Sequence, residues 1–155
     1  MRRAMLAAGA LLGLLAPPAR ADPAAEARRL YAEFAAAQNA NDLGRVRALL
    51  AEGDGFLWVS NGFSIWGPEA AIARLARFHA NEVWQIAPDE RRARAVAVSP
   101  DAAFLHVPLV LTVGPAAGPQ RYRILISALC VETAAGWRIA ALFTTDENAG
   151  EPGAE

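Results

Sequence analysis

Residues Asn39–Ile72 read NANDLGRVRALLAEGDGFLWVSNGFSIWGPEAAI and contain signals for a helix end, a second helix, a hairpin and a third helix. Asn41 or Asp42 predicts the cap of the second helix, because a short polar side chain can accept a hydrogen bond from a free helical N–H. Asn61-Gly62 lies between two strand-like runs and predicts a two-residue hairpin turn. Pro68 suits the first turn of the third helix. This segment therefore predicts a hairpin enclosed by helices.

The regions on either side of this segment differ in their periodicity. Asp22–Ala40 has apolar residues at helical spacing and predicts a first helix. The second half has four strand-like runs with short links, which predict sequential antiparallel strands. These runs are Arg91–Val98, Phe104–Val113, Arg121–Val131 and Trp137–Thr145. Because the helices do not alternate with these strands, they must cover one face of the sheet, which predicts an α+β fold with a conical space between its layers.

The first 21 residues have the composition of a secretory signal peptide. Arg2 and Arg3 precede the apolar and glycine run Ala4–Ala16, and Ala19-Arg20-Ala21 is a small-x-small cleavage site. The apolar run is too short to span a membrane. The paired arginines also suit the twin-arginine route, but the polar residue usual before such a pair is missing, which favours Sec export. We predict a periplasmic or secreted protein that begins at Asp22 and has no membrane anchor in its mature form.

Composition limits the partners of the mature chain. The sequence has 155 residues, and what remains after the signal peptide is long enough for one domain with a proper core. Three of the 15 basic residues lie in the signal peptide, which leaves 12 against 16 acidic residues and a net charge of −4. This balance argues against nucleic acid and anionic lipid as partners. We predict one domain, residues 22–146, and a flexible acidic tail, residues 147–155.

Cysteine and histidine spacing gives no sign of a metal or cofactor. Cys130 is the only cysteine, so an intramolecular disulfide is impossible, and its apolar neighbours predict a buried, inert thiol. His79 and His106 are not part of an HxH, HExxH or HxxxH motif, and there is no Gly-rich phosphate loop or GxSxG elbow. His79 falls late in the third helix, where a cation suits the negative end of the helix. We expect no metal site and no cofactor.

Four short motifs occur along the mature chain in a characteristic order. They are Ala40-Asn41-Asp42-Leu43, Leu49-Leu50-Ala51-Glu52, Gly67-Pro68-Glu69-Ala70-Ala71-Ile72 and Gly136-Trp137-Arg138-Ile139-Ala140-Ala141-Leu142-Phe143. In order and spacing they resemble the nuclear transport factor 2-like superfamily, in its SnoaL-like and ketosteroid isomerase-like branch, from Ala24 to about Asp146. The resemblance implies a cone-shaped fold with three N-terminal helices on a strongly curved antiparallel sheet. It implies much less about function, because this fold hosts enzymes, binders and assembly modules.

The chemistry of ketosteroid isomerases is not supported by the residues. Those enzymes use an acid on the first hairpin strand as the base, and a tyrosine and a protonated aspartate as oxyanion donors. In this chain Trp58, Val59 or Ser60 falls at the position of the base. Phe34 falls at the position of the tyrosine and Ala128 near that of the aspartate. All three roles are empty, so we predict that the chain is not a ketosteroid isomerase.

His106 is the leading candidate for a catalytic residue. It lies mid-strand among apolar neighbours, and strand alternation puts Phe104, Pro108 and Val110 on its face. The resemblance turns that face towards the cone, where a neutral histidine could act as a general base or a hydrogen-bond donor. The alternative is a core histidine that is satisfied by a backbone carbonyl or by Tyr31.

Aromatic residues supply most of the other candidates for a pocket. The predicted ligand-binding set is Tyr31, Phe34, Trp58, Ser60, Trp66, His106, Ile126 and Phe143. Large rings with a few polar groups suit an apolar ligand. Ordinary core packing is the alternative, above all for Phe34 and Phe143. Trp84 is expected in a loop after the third helix.

These observations favour an exported homodimer that binds a small, largely apolar molecule in the cone. If there is turnover, we expect isomerase-, cyclase- or hydratase-like chemistry with His106 as acid/base and Tyr31 or Ser60 as its polar partner. One alternative is a non-catalytic dimerisation or assembly module with a filled cone. Another is an anion receptor built on the arginines of residues 91–94. An open cone would favour the binding function, whereas a cone filled by side chains would favour the assembly module.

Overall fold

The computed structural model describes residues 21–148, which form three helices and one seven-stranded sheet. The helices are α1 (Pro23–Asn39), α2 (Leu43–Ala48) and α3 (Pro68–Asn81). The strands are β1 (Leu57–Ser60), β2 (Phe63–Trp66), β3 (Val83–Pro88), β4 (Arg94–Ser99), β5 (Ala102–Gly114), β6 (Gln120–Thr133) and β7 (Gly136–Asp146). The predicted α+β architecture, with helices packed on a curved sheet, is confirmed. Residues 1–20 of the predicted signal peptide and residues 149–155 of the predicted tail lie outside the described residues.

Aspartates cap the first two helices. The Asp22 carboxylate accepts a hydrogen bond of 3.0 Å from the backbone N–H of Ala24, and Asp42 accepts one of 2.8 Å from that of Arg45. Both bonds satisfy N–H groups that no helical carbonyl can reach. The predicted apolar stripe of α1 is buried, and its members are Ala27, Leu30, Tyr31 and Phe34.

Asn61 and Gly62 form the predicted turn between β1 and β2. Their φ angles are 51° and 76°. A type I′ turn requires positive φ at both central residues, which asparagine and glycine tolerate best. The turn places Ser60 opposite Phe63 in an antiparallel pair. β1 then pairs in parallel with β7, whereas the other pairs of named strands are antiparallel.

The sheet has the strand order β2-β1-β7-β6-β5-β3, and β4 also pairs with β5. Two strands therefore pair with the same edge of the long β5. β4 pairs with its first half and β3 with its second half. β3 was not predicted, and Trp84 lies in this strand rather than in a loop. The Asn39 side chain holds β3 by two hydrogen bonds of 2.8 Å to the backbone of Ile86. The end of α1 therefore fixes the edge of the sheet.

A bulge in β7 changes which side chains face the helices. Leu129 of β6 pairs with Ala141, whereas Cys130 pairs with Ile139, so Ala140 is an extra residue on β7. An extra residue shifts the alternation of a strand by one position. After Ile139 the next buried inner position is therefore Leu142 rather than Ala141, and Phe143 turns to the opposite face.

The domain extends slightly beyond its predicted end. Glu147 forms ion pairs with Arg92 and with Arg123, the second at 3.0 Å. The nearby guanidinium groups, that of Arg92 above all, lower the pKa of the Glu147 carboxyl. Contacts with the domain thus continue one residue past the predicted boundary at residue 146.

Candidate functional site: a cavity between the helices and the sheet

A cavity of about 410 Å³ lies between the helices and the inner face of the sheet, the face that the helices cover. Its apolar wall includes Phe34, Leu50, Phe56, Trp58, Leu75, Phe78, Trp84, Ile86, Leu109, Leu111, Ile124, Ile126 and Leu142. Its polar wall residues are Gln38, Ser60, Asn61, Arg74, Tyr122, Thr144 and Asp146. A mostly apolar cavity of a few hundred Å³ with a few polar groups is the usual form of a small-molecule site.

Half of the predicted ligand-binding residues line this cavity. Phe34 reaches it from α1, Trp58 and Ser60 from β1, and Ile126 from β6. Ser60 is buried, with 7% of its surface exposed, although it carries a hydroxyl group. The structure therefore brings together four side chains that are far apart in the sequence.

His106 does not line the cavity, and the prediction that it faces the cone is wrong. Leu105, Val107 and Leu109 take the inner positions of β5, so alternation turns His106 to the outer face of the sheet. There its Nδ1 lies 3.2 Å from the hydroxyl oxygen of Ser127. Burying an imidazole costs more than burying an aliphatic side chain, which favours the all-aliphatic set for the inner face.

Three predicted aromatic residues also lie away from the cavity. Tyr31 is buried, but it lines a separate depression between α1 and β5, where burial raises the pKa of its phenol. Trp66 on β2 is 59% exposed, and Phe143, turned outward by the β7 bulge, is 43% exposed. The prediction that these rings line the cone is therefore wrong.

Sequence reasoning missed Arg74, although the helical pattern carries a signal for it. Ala71, Arg74, Leu75 and Phe78 are spaced at i, i+3, i+4 and i+7 on α3, and all four line the cavity. Because Arg74 is charged, it was not expected on the inward face of α3.

Arg74 brings a cation to the cavity wall. Its guanidinium carbon lies 5.6 Å from the ring centre of Trp58, 5.8 Å from that of Phe63 and 5.4 Å from that of Phe78. Its Nε is buried without a hydrogen-bond partner. No carboxylate within residues 21–148 forms an ion pair with it. Three aromatic ring faces therefore contact this cation.

Two indole groups orient polar side chains of the wall. The Nε1–H of Trp58 donates to Thr144 Oγ1 at 3.0 Å, and the Nε1–H of Trp84 donates to Gln38 Oε1 at 3.2 Å. Each bond occupies an acceptor. The hydroxyl hydrogen of Thr144 and the amide hydrogens of Gln38 remain available as donors. Thr144 and Gln38 therefore still have hydrogens that they can donate to a ligand.

The residues expected to be chemically inert have environments that reduce their reactivity. Cys130 is fully buried, and burial raises the pKa of its thiol to about 12, as an inert thiol requires. His79 packs against Trp84 with their ring centres 5.8 Å apart, and burial lowers its pKa. A neutral imidazole is thereby favoured, rather than the cation expected at the helix end.

The described part of the chain contains neither a metal-ligating cluster nor a membrane-spanning helix. No group of three or more His, Cys, Asp or Glu residues between residues 21 and 148 could hold a metal ion. In the same range, no helix is both long and apolar enough to cross a bilayer.

No protein-family model matches the sequence, and no curated protein matches it either. Solved structures do match the fold. An uncharacterised protein with a cystatin-like fold from Caulobacter vibrioides has a TM-score of 0.70 at 18% identity, over 82% of this chain and 91% of that one. A ketosteroid isomerase-like protein from Erwinia carotovora atroseptica has a TM-score of 0.70 at 17% identity, over 82% and 98% of the two chains.

A third similar structure belongs to an NTF2-like protein. An NTF2-like protein with a cystatin-like fold from Novosphingobium aromaticivorans has a TM-score of 0.64 at 17% identity, over 83% of this chain and 84% of that one. The chain therefore has the nuclear transport factor 2-like fold that its sequence motifs resemble. Because such distant likeness shows the fold alone, function has to be inferred from the site.

Proposed function

We propose that the protein binds a small, largely apolar molecule in the cavity between the helices and the sheet. The observation that carries this proposal is the cavity itself, with about 410 Å³ of space inside a mainly apolar and aromatic wall. Protein interiors are normally close-packed, and unfilled space forfeits dispersion contacts between side chains. A ligand that fills the space would restore those contacts, which supports a binding role.

The alternatives have less support. An assembly module with a filled cone does not account for the open cavity. Acid/base turnover by His106 loses support because the ring lies on the outer face of the sheet. An anion receptor at residues 91–94 loses support because Arg92 is already paired with Glu147. Binding is therefore the function that the geometry supports best.

Titration with the apolar fluorescent dye N-phenyl-1-naphthylamine tests the proposal. Leu111 lines the cavity, whereas Val110, its neighbour on β5, lies on the outer face. Leu111→Trp should fill part of the cavity and weaken dye binding about tenfold or more, or about 1.4 kcal/mol. The matched variant Val110→Trp should bind the dye like the wild type. Absence of dye binding at micromolar concentration, or equal binding by both variants, would contradict the proposal.

We further propose that the protein forms a homodimer through the outer face of the sheet. Val96, Phe104 and Phe143 are 57%, 40% and 43% exposed. Val96 lies opposite Phe104, and Phe143 is in the next cross-strand row, opposite Ser127. Neighbouring exposed apolar side chains of this kind are typical of a protein–protein contact. A second copy of the same face would cover them by two-fold symmetry.

We propose that this binding takes place outside the cytoplasm, because residues 1–21 have the composition of a signal peptide. Cleavage after Ala21 would leave Asp22, the residue that caps α1, at the N-terminus. Removal of the peptide would thus keep the described fold whole. Mass spectrometry of the protein from a periplasmic extract should give Asp22 as the first residue, and recovery of uncleaved protein in the cytosol alone would contradict export.

A further inference from the structure

Arg74 is a feature of the cavity that a purely apolar ligand does not explain. The side chain is half-buried, its Nε has no hydrogen-bond partner, and no carboxylate in the described range pairs with it. A charge withdrawn from water is normally paired with an opposite charge, because desolvation is costly. Contact with aromatic faces compensates only part of this lost hydration. The Arg74 guanidinium is thus left without an anionic partner among the described residues.

The contacts of Arg74 place it beside the β1–β2 hairpin. Trp58 of β1 and Phe63 of β2 both lie within 6 Å of the guanidinium carbon, at 5.6 and 5.8 Å. Ser60 lies two residues beyond Trp58 on the same face of β1, and Asn61 follows in the turn. Both line the cavity, so a hydroxyl and an amide are carried by the hairpin that contacts the cation.

The rest of the polar wall also suits an acceptor. Hydrogen bonds from Trp58 and Trp84 occupy acceptors of Thr144 and Gln38, so these two side chains are left with hydrogens to donate. Asp146 is the only carboxylate among the described wall residues, and it is exposed to solvent. Water stabilises that carboxylate without help from Arg74. The buried polar groups thus favour a ligand that accepts hydrogen bonds.

We propose that the ligand is an apolar molecule with one carboxylate group, and that Arg74 binds the carboxylate while the apolar part fills the cavity. This inference rests on the proposed binding function and specifies the class of ligand. The planar guanidinium matches a carboxylate in geometry, and hydrogen bonds between opposite charges are stronger than neutral ones. The three rings in contact with the guanidinium restrict its orientation, and its Nε is buried.

Displacement of N-phenyl-1-naphthylamine by decanoate and by decan-1-ol tests the inference. The two probes share one carbon chain length and differ in the charge of the head group. Decanoate should displace the dye from the wild type at a concentration about tenfold to a hundredfold below that of decan-1-ol, the range expected for a charge-assisted hydrogen bond. Equal displacement by the two probes would overturn the inference.

Variants of Arg74 test whether its guanidinium causes the preference for decanoate. Arg74→Met keeps a flexible apolar chain without charge, so it should still bind the dye but lose the preference for decanoate. Arg74→Lys should keep part of the preference, because the charge remains without the planar fork. Arg91→Gln removes an exposed arginine that is not part of the cavity wall, so it should behave like the wild type.

The outcomes separate this inference from the proposed function. A preference for decanoate that persists in Arg74→Met would overturn the role of Arg74, while dye binding would still support the cavity as a binding site. A wild type that binds no dye would contradict the proposed function itself. If Arg74→Met does not fold, the same comparison in Arg74→Gln decides the role of the charge.

Discussion

The two faces of β5 carry similar side chains but lie in opposite environments. Leu105, Val107 and Leu109 face the helices and are 1%, 2% and 5% exposed, whereas Phe104 on the outer face is 40% exposed. The inner face encloses a cavity, and the outer face is left uncovered by any other element within residues 21–148. Apolar character alone therefore does not decide which face becomes the core. The connections of the helices decide it, because they reach only one side of the sheet.

The largest expected difference between the two faces is in the free energy of unfolding. Leu105→Ala should lower it by about 2–5 kcal/mol, because deletion of a fully buried side chain leaves a cavity. The adjacent His106→Ala should lower it by only about 1 kcal/mol, the usual value of one hydrogen bond, here that with Ser127. Urea denaturation of both variants measures the difference. Equal losses would break the distinction between an inner and an outer face.

Only substitutions on the outer face of the sheet should change the self-association of the protein. Phe104→Asp places a carboxylate in the proposed dimer contact and should weaken the dimer by roughly 2 kcal/mol, the loss typical of an interface hot spot. Light scattering at micromolar concentration should therefore change from the mass of a dimer towards that of a monomer. Ala36→Asp, at an exposed position of α1, is the matched control and should remain dimeric. A monomeric wild type would rule the proposal out.

Most of the fold could be predicted because its signals are local. The aspartate cap of α2, the Asn61-Gly62 turn and the apolar stripe of α1 each depend on residues close together in the sequence. β3 could not be predicted, because it is a short edge strand that ends in proline. Its support comes from Asn39, which lies 47 residues before the strand residue that it binds, Ile86.

The site was predicted only in part, and the two main errors have different causes. β5 is apolar on both faces, so alternation could not tell which face His106 occupies. β7 alternates only at its start, in Trp137-Arg138-Ile139, and the extra residue Ala140 then reverses the alternation before Phe143. A bulge of this kind leaves no mark in the sequence, since alanine suits a regular strand position as well. Arg74, in contrast, could have been found from its helical spacing with Leu75 and Phe78.

The smallest expected effect is the pH dependence of stability that comes from His79 on α3. His79 packs against Trp84 with its Nε2 buried and unpartnered, and burial lowers its pKa. As pH falls below the ordinary histidine pKa of about 6.5, the unfolded chain takes up a proton before the folded chain does. Stability from neutral His79 is therefore fully present above that pH and decreases as pH falls towards the lowered pKa of the folded state.

His79→Phe keeps a ring beside Trp84 and removes the titrating group. Relative to the wild type, its melting temperature should rise as pH is lowered from about 7.5 to about 5.5, because only the wild type loses stability through this histidine. Thermal unfolding of both proteins across this range measures the effect, and comparing the two profiles cancels the carboxylates that titrate in each. Parallel profiles would contradict the prediction, because they would mean that His79 titrates alike in the folded and unfolded chains.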